Sequence, residues 1–218
     1  MLPGQAATRG KTLMESRYAG AIGQTLDFWF GPLTGDGVPR EDRSRLWFGK
    51  NAEHDAEISR RFQLQTVQAL AGQLEGWAGT GPRGRLALVL TLDQFTRNIF
   101  RDTPRAFAGD ERALEHAQTA LALGEDRDLP LIHRVFMYLP LEHSESLDMQ
   151  NESVRRFEQL AREAPPGEAE AFAGFLDYAE RHREVIREFG RFPHRNPILD
   201  RESTPAEQAY LARPGAGF

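Results

Sequence analysis

The amino-acid sequence contains no cysteine, which excludes disulfide bonds and metal sites built from thiolates. Lysine is almost as rare, because Lys11 and Lys50 are the two lysines among 27 basic residues. The other basic residues are arginines, which hold carboxylates and other anions through two parallel hydrogen bonds, as lysine cannot. The composition therefore favours arginine-mediated ion pairs and anion sites.

Long apolar runs are missing as well, since no stretch approaches the roughly 20 residues that span a bilayer. The N-terminal segment carries charges, glycine and alanine but lacks the apolar stretch of a secretory signal. We expect a disordered lead-in over residues 1–20 and a single all-helical domain over residues 21–218. These features predict a cytoplasmic protein without a membrane partner, and a net charge of −5 argues against a nucleic-acid partner.

Established catalytic motifs are absent too. The sequence has no phosphate-binding P-loop, no dinucleotide-binding glycine pattern, no His-Glu-x-x-His helix and no Gly-x-Ser-x-Gly turn. None of the six histidines lies four residues from another, so a metal ion would need ligands from distant segments, such as Glu142, His143 and His194. We expect no metal and no cofactor, and the sequence leaves open whether the protein is an enzyme.

Helical periodicity dominates what is present. Hydrophobic residues make up 40% of the chain, enough for a substantial core, and Gly or Pro breaks separate the periodic segments. The predicted helices cover residues 25–30, 51–74, 85–100, 110–123, 131–139, 151–163, 168–189 and 205–213. No segment reads as a convincing strand, so we expect an all-α fold of eight or nine helices in stacked antiparallel pairs.

The segment 85–100 is the most informative of these. Its residues 86–92 are apolar on nearly all sides, which is typical of a helix at the centre of a fold. The polar residues that follow are spaced by four, as a helix face requires. Asp93 and Arg97 are four apart, as are Gln94 and Asn98, and Arg101 follows Arg97 by four. They are either a buried network that locks helices together or the floor of a polar pocket.

Two further segments carry polar side chains that a plain helical core does not need. In Tyr138–Glu145, Pro140 interrupts the helix and Glu142 and His143 follow, a pairing that suits acid–base chemistry or capping. The other is the Pro-stiffened loop Phe189–Pro197. Its candidate ligand-binding residues are Arg191, His194, Arg195 and Asn196. These side chains either tie the loop down by pairing with acids such as Asp93 and Glu142, or they bind a carboxylate or phosphate.

Several motifs together resemble the bacterial family called domain of unknown function 924. They are LDFWFG, RLWFGK, LDQFTRNIFR, YLPLEHSE, FGRFPHRN and the capping box at Thr204. The resemblance runs from about Thr25 to Leu211. It implies a right-handed, tetratricopeptide-like superhelix and no established activity. The sequence departs from the family pattern at Thr96, where proline is common, and at Asp200, where glycine is common. Aspartate tolerates the left-handed backbone, so the turn at Asp200 is expected to survive.

Two functions from different classes fit these observations. In the first, a pocket floored by Asp93, Gln94, Arg97 and Asn98 and lined by Glu142, His143 and the loop binds a small anion. This hypothesis rests on a charge count of three arginines and a histidine against two nearby acids. If these residues converge, the excess positive charge of a buried site must be compensated. In the second, stacked helices bind a protein or peptide in a groove. Its candidate contacts are Trp29, Trp47 and Trp77. Convergence of the polar segments on one open cavity favours the first.

Overall fold

The structure is a computed structural model that describes residues 18–217. Within this range the chain is helical and forms no β-strand beyond an isolated bridge between Leu33 and Pro39. The all-α prediction is therefore confirmed, whereas the superhelical arrangement stays a prediction. Of the predicted lead-in, residues 1–17 lie outside the described range and residues 18–20 belong to the first helix. No helix in the described range is both long and apolar enough to cross a bilayer.

The described part of the chain forms ten successive α-helices, and short 3₁₀ turns occupy several of the connections between them. The α-helices are α1 (18–30), α2 (Ser44–Phe48), α3 (Ala52–Leu70), α4 (Pro82–Val89), α5 (Thr96–Ile99), α6 (Asp110–Leu123), α7 (Leu131–Glu142), α8 (Leu147–Glu163), α9 (Ala169–Phe189) and α10 (Pro205–Leu211). A π-helical turn, Leu90–Phe95, joins α4 directly to α5.

The core surrounds α4 and the π-helical turn, which pack against α3, α6 and α7. Every residue from Leu86 to Leu92 has no exposed surface, or almost none, as the all-round apolar pattern predicts. Helix α7 is nearly as buried along its whole length. The two most buried segments of the chain therefore lie side by side, and each ends in polar residues.

The wide π-helical turn was not predicted, and it changes how the polar residues pair. Thr96 Oγ1 donates to the carbonyl oxygens of Leu92 and Asp93, at 2.7 and 3.1 Å, where the helix returns to α geometry. Gln94 turns to its neighbour Asp93 rather than to Asn98. Gln94 and Asn98, although four residues apart, therefore bond to different partners, Asp93 and Asp55.

Several predicted helix boundaries are also wrong, among them those of α7 and α8. Helix α7 does not stop before Pro140 but continues to Glu142, and the His143 N–H donates to the Leu139 carbonyl, 2.8 Å away. Burial on both sides of Pro140 outweighs the one helical hydrogen bond that proline cannot make. Helix α8 begins at Leu147, one turn earlier than predicted. The bond across Pro140 places Glu142 and His143 at the end of a rigid, buried helix.

Candidate functional site

The three polar segments singled out in the sequence meet at one cavity of about 1220 Å³. Its walls come from α2, the end of α7, α9 and the turn Pro193–Arg195, and its floor comes from the π-helical turn and α5. Seven of the ten predicted site residues line it: Gln94, Arg97, Asn98, Glu142, His143, His194 and Arg195. This convergence on one open cavity favours the pocket over the groove.

Asp93 lies beneath the floor and joins the first two segments. Its Oδ1 is 2.7 Å from His143 Nδ1 and 3.0 Å from Arg97 Nη1, and its Oδ2 accepts a hydrogen bond from Gln94. An ionised carboxylate only accepts hydrogen bonds, so Asp93 holds the imidazole hydrogen on Nδ1 and leaves the lone pair on Nε2. Burial alone would raise the pKa of Asp93, but Arg97 and His143 hold it well below its ordinary value.

The loop segment reaches the same network through Asp110, the first residue of α6. Arg97 donates two hydrogen bonds to the Asp110 carboxylate, at 2.8 and 3.0 Å. Arg195 Nη1 lies 3.4 Å from the same carboxylate, and Arg195 Nη2 donates to the His143 carbonyl oxygen at 3.0 Å. The Arg195 guanidinium also stacks between Phe107 and Phe192, 4.8 and 4.6 Å from their ring centroids.

Glu142 is the buried acid of the cavity wall. Its side chain is 5% exposed, and its Oε1 is 3.3 Å from His182 Nδ1, which also lies 2.8 Å from the Tyr178 carbonyl oxygen. Burial, with the charge of Asp93 nearby, raises the pKa of Glu142 to about 8. The carboxyl group therefore keeps its proton near neutral pH, unlike an ordinary glutamate.

The histidines of the cavity shift in the opposite direction. Burial and the cation of Arg97 lower the pKa of His143, although Asp93 opposes the shift. Burial and Arg195 lower the pKa of His194 to about 4. Burial also lowers the pKa of His182 well below its ordinary value, despite the Tyr178 carbonyl. At pH 7 the cavity therefore holds neutral imidazoles beside a protonated carboxyl group.

A second ion pair, between Arg101 and Asp55, lies beside the cavity floor. Arg101 donates to both oxygens of Asp55, each at 2.7 Å, and Asn98 Nδ2 donates to Asp55 Oδ1 at 2.9 Å. Asp55 belongs to α3, so this cluster fastens α3 to α5 next to the cavity. Asn98 is thus held by a structural partner while its side chain still lines the pocket.

Two predicted site residues lie away from the cavity. Arg191 pairs with Glu207 of the α10 capping box, at 2.7 and 2.9 Å, which explains why the loop needs this cation. Asn196 is fully buried and bonds Ser203 and Arg201, so it shapes the loop rather than the pocket. The prediction that these two side chains contact a ligand therefore has no support from their positions.

Glu145 is the acid that ties the loop to the end of α7. It accepts two hydrogen bonds from Arg201, at 2.8 and 3.0 Å, and one from the Phe192 N–H at 2.8 Å. The turn that aims Arg201 survives the replacement of glycine, because Asp200 adopts the left-handed backbone at φ 53°. The predicted tethers Asp93 and Glu142 do not perform this role directly.

The predicted surplus of positive charge is not found. Arg191 is elsewhere, and Asp110, which the sequence count left out, stands between Arg97 and Arg195. Together, Asp93 and Asp110 match the two arginines. No local sequence pattern identifies Asp110, Asp55 or His182 as site residues, since each lies on a helix outside the three polar segments. Within residues 18–217, no three histidine, aspartate or glutamate side chains are placed to hold a metal ion.

Comparison with known proteins agrees with the motifs. A family model described as "Bacterial protein of unknown function (DUF924)" matches residues 25–215. A solved structure, that of the protein of unknown function ATU0120 from Agrobacterium tumefaciens, is similar with a TM-score of 0.73 and 35% sequence identity. The match covers 89% of this chain and 98% of that chain. No curated protein matches. The resemblance is confirmed, and the chain belongs to the DUF924 family of bacterial proteins of unknown function.

Proposed function

We propose that the cavity binds a small anionic molecule. The observation that carries this proposal is Arg195, which lines the cavity and whose side chain is 8% exposed. Among residues 18–217, the carboxylate within ion-pair distance of Arg195 is Asp110, at 3.4 Å, which already accepts two shorter bonds from Arg97. Arg195 is therefore a buried cation with a weak and shared counterion.

The electrostatic surroundings of Arg195 support the same conclusion. Burial and repulsion from Arg97 lower the pKa of Arg195 to about 10. A guanidinium in such a place gains from any further anion, and its planar fork matches a carboxylate or phosphate. His194 and His182, both on the cavity wall, add donors once they take up protons.

The groove hypothesis loses most of its contact residues. Trp29 and Trp77 are 0% and 2% exposed and belong to the core. Trp47 lines the cavity, where it would contact a small ligand as readily as a peptide. We therefore put the small-molecule pocket first. The cytoplasmic location stays a prediction.

Calorimetric titration with phosphate, sulfate and succinate at pH 6 and pH 8 tests the proposal. We expect one of these anions to bind with a millimolar or lower Kd, and more tightly at pH 6 because a bound anion raises the pKa values of His182 and His194. Arg195→Gln is expected to weaken binding about tenfold or more, a loss of about 1.4 kcal/mol.

The matched control is Arg85→Gln. Arg85 is as buried as Arg195 and pairs with Glu125 at 2.6 Å, but it does not line the cavity. This variant is expected to bind the anion with the wild-type Kd. No binding at millimolar concentration at either pH, or equal losses in both variants, would refute the anion site.

A further inference from the structure

The end of α7 places two titratable side chains on the same cavity, because Glu142 and His143 are adjacent and both line it. His143 Nδ1 is 2.7 Å from Asp93, and the described residues provide no hydrogen-bond partner for Nε2. The Glu142 carboxyl group has one polar contact among the described residues, His182 Nδ1 at 3.3 Å. A buried network that served only to lock helices together would satisfy these groups.

The contrast with His116 shows what the arrangement adds. His116 is a half-buried histidine beside a carboxylate, with Nε2 3.0 Å from Glu75, but it does not line the cavity. His143 instead combines an oriented imidazole, a free ring nitrogen, an adjacent carboxyl group and room for a ligand. Those are the parts of a general base with a general acid beside it.

We infer that His143 and Glu142 act as general base and general acid in the hydrolysis of a small carboxylic ester that carries a second, anionic group. This inference rests on the proposed function, because Arg195 is the residue that holds the anionic group. Asp93 is a positioning residue that acts through His143.

The chemistry balances with water as the co-reactant. His143 Nε2 takes a proton from water while the water oxygen forms a bond to the ester carbonyl carbon. The tetrahedral intermediate then expels the alkoxide, the carbon–oxygen bond breaks, and Glu142 gives its proton to the leaving oxygen. The imidazolium proton returns through solvent to the Glu142 carboxylate, and the products are an alcohol and a carboxylic acid.

The protonation states at neutral pH suit these roles. The groups that face the pair are Asp93 on the π-helical turn, Arg97 on α5, Asp110 on α6, His182 on α9 and His194 with Arg195 on the loop. Burial and Arg97 keep the pKa of His143 low, so the base is neutral, and burial keeps Glu142 protonated up to about pH 8. Two neighbouring groups with opposite shifts are the pattern that separates a base from an acid.

Two esters of succinic acid distinguish the roles of the pair. Monoethyl succinate has a leaving group that needs a proton, whereas the mono-4-nitrophenyl ester does not. We expect His143→Gln to lower kcat for both esters about 10²–10⁴-fold with KM little changed. Glu142→Gln is expected to lower kcat to a similar extent for the ethyl ester alone. His116→Gln serves as the control and is expected to keep wild-type kcat.

The outcomes separate this inference from the anion site. A wild-type protein that binds succinate but hydrolyses neither ester overturns the catalytic pair and leaves the anion site standing. Equal kcat/KM for ethyl butyrate and monoethyl succinate overturns the anion site and supports the pair. Nitrogen NMR of His143 in wild-type protein adds a direct reading, since a neutral imidazole carrying hydrogen on Nε2 at pH 7 contradicts the orientation by Asp93.

Discussion

Burial of Glu142 lowers the stability of the fold at neutral and higher pH. In the unfolded chain its carboxyl group ionises near pH 4.5, whereas in the fold it keeps its proton to about pH 8. The fold therefore binds more protons than the unfolded chain between these values, and its stability falls as pH rises through them. A costly group at a cavity wall is typical of a site retained for function.

We predict that Glu142→Gln raises the free energy of unfolding by roughly 1–4 kcal/mol at pH 8 and changes it little at pH 5. Glutamine has the same shape and never ionises, so the cost of the buried charge disappears. Urea titrations at the two pH values measure the difference.

Asp126→Asn is the control for this prediction, because Asp126 is a buried carboxylate that accepts a hydrogen bond from Tyr138 Oη at 2.6 Å. Asparagine keeps the shape but weakens that bond, so this variant is expected to gain no stability at pH 8. A Glu142→Gln protein that is less stable than wild type at pH 8 contradicts the assignment of Glu142 as an uncompensated acid.

Asp93 has the opposite character, since the Arg97 cation matches its charge and His143 shares a hydrogen bond with it. Asp93→Asn leaves the Arg97 cation with Asp110 alone and gives His143 Nδ1 a neutral amide oxygen in place of a charged acceptor. We predict a loss of about 3–5 kcal/mol at pH 7, the range for breaking a buried pair. Chemical denaturation measures it, and a loss below about 1 kcal/mol would show that the network contributes little.

At the scale of the helices, α4 and the π-helical turn lie at the centre of the core. Leu88 has no exposed surface and is enclosed by the surrounding helices, so truncation leaves a cavity that cannot collapse easily. We predict that Leu88→Ala lowers the free energy of unfolding by about 2–5 kcal/mol. Leu64→Ala, at a position that is 72% exposed on α3, is the control and is expected to change it by less than about 0.5 kcal/mol. Similar urea midpoints for the two variants contradict a central role for α4.

Helix positions were easier to predict than helix ends and helix type. Segment 110–123 matched α6 to the residue, because Gly124 ends it in the left-handed conformation. The π-helical turn at Leu90–Phe95 and the passage of α7 through Pro140 were missed. Both depend on packing against neighbouring helices, which overrides local propensity and is not visible in a sequence window.

For the molecule as a whole, buried histidines set the response to acid. Burial lowers the pKa of His133 to about 3 and of His116 to about 4, in line with the three histidines at the cavity. A histidine whose pKa is lowered in the fold stabilises the fold above pH 6.5, and this contribution disappears as pH falls towards the folded pKa. Glu142 acts in the opposite direction, since its contribution to stability improves as pH falls. It is one group, however, whereas five histidines lose stability.

We predict that the free energy of unfolding falls by more than about 2 kcal/mol between pH 7 and pH 5.5, because unfolding is then coupled to uptake of several protons. Urea titrations at half-unit pH steps give the slope. Addition of an anion that binds the cavity is expected to reduce the loss, since it stabilises the charged histidines of the folded state. A free energy that is flat or rises over this range contradicts the burial of neutral histidines.

The sequence alone determined the all-α class, the central helix and the three segments that form the cavity, because periodicity and polar residues in apolar surroundings are local properties. Seven residues that line the cavity could be named from it. The tertiary structure decided which acids meet the arginines, since Asp110 and Asp55 come from other helices and no local spacing links them to Arg97 or Arg101. It also decided that no arginine or lysine among residues 18–217 pairs with Glu142 and that His143 is oriented by Asp93. Charge balance and pKa depend on distances through space, and those distances exist once the helices have packed.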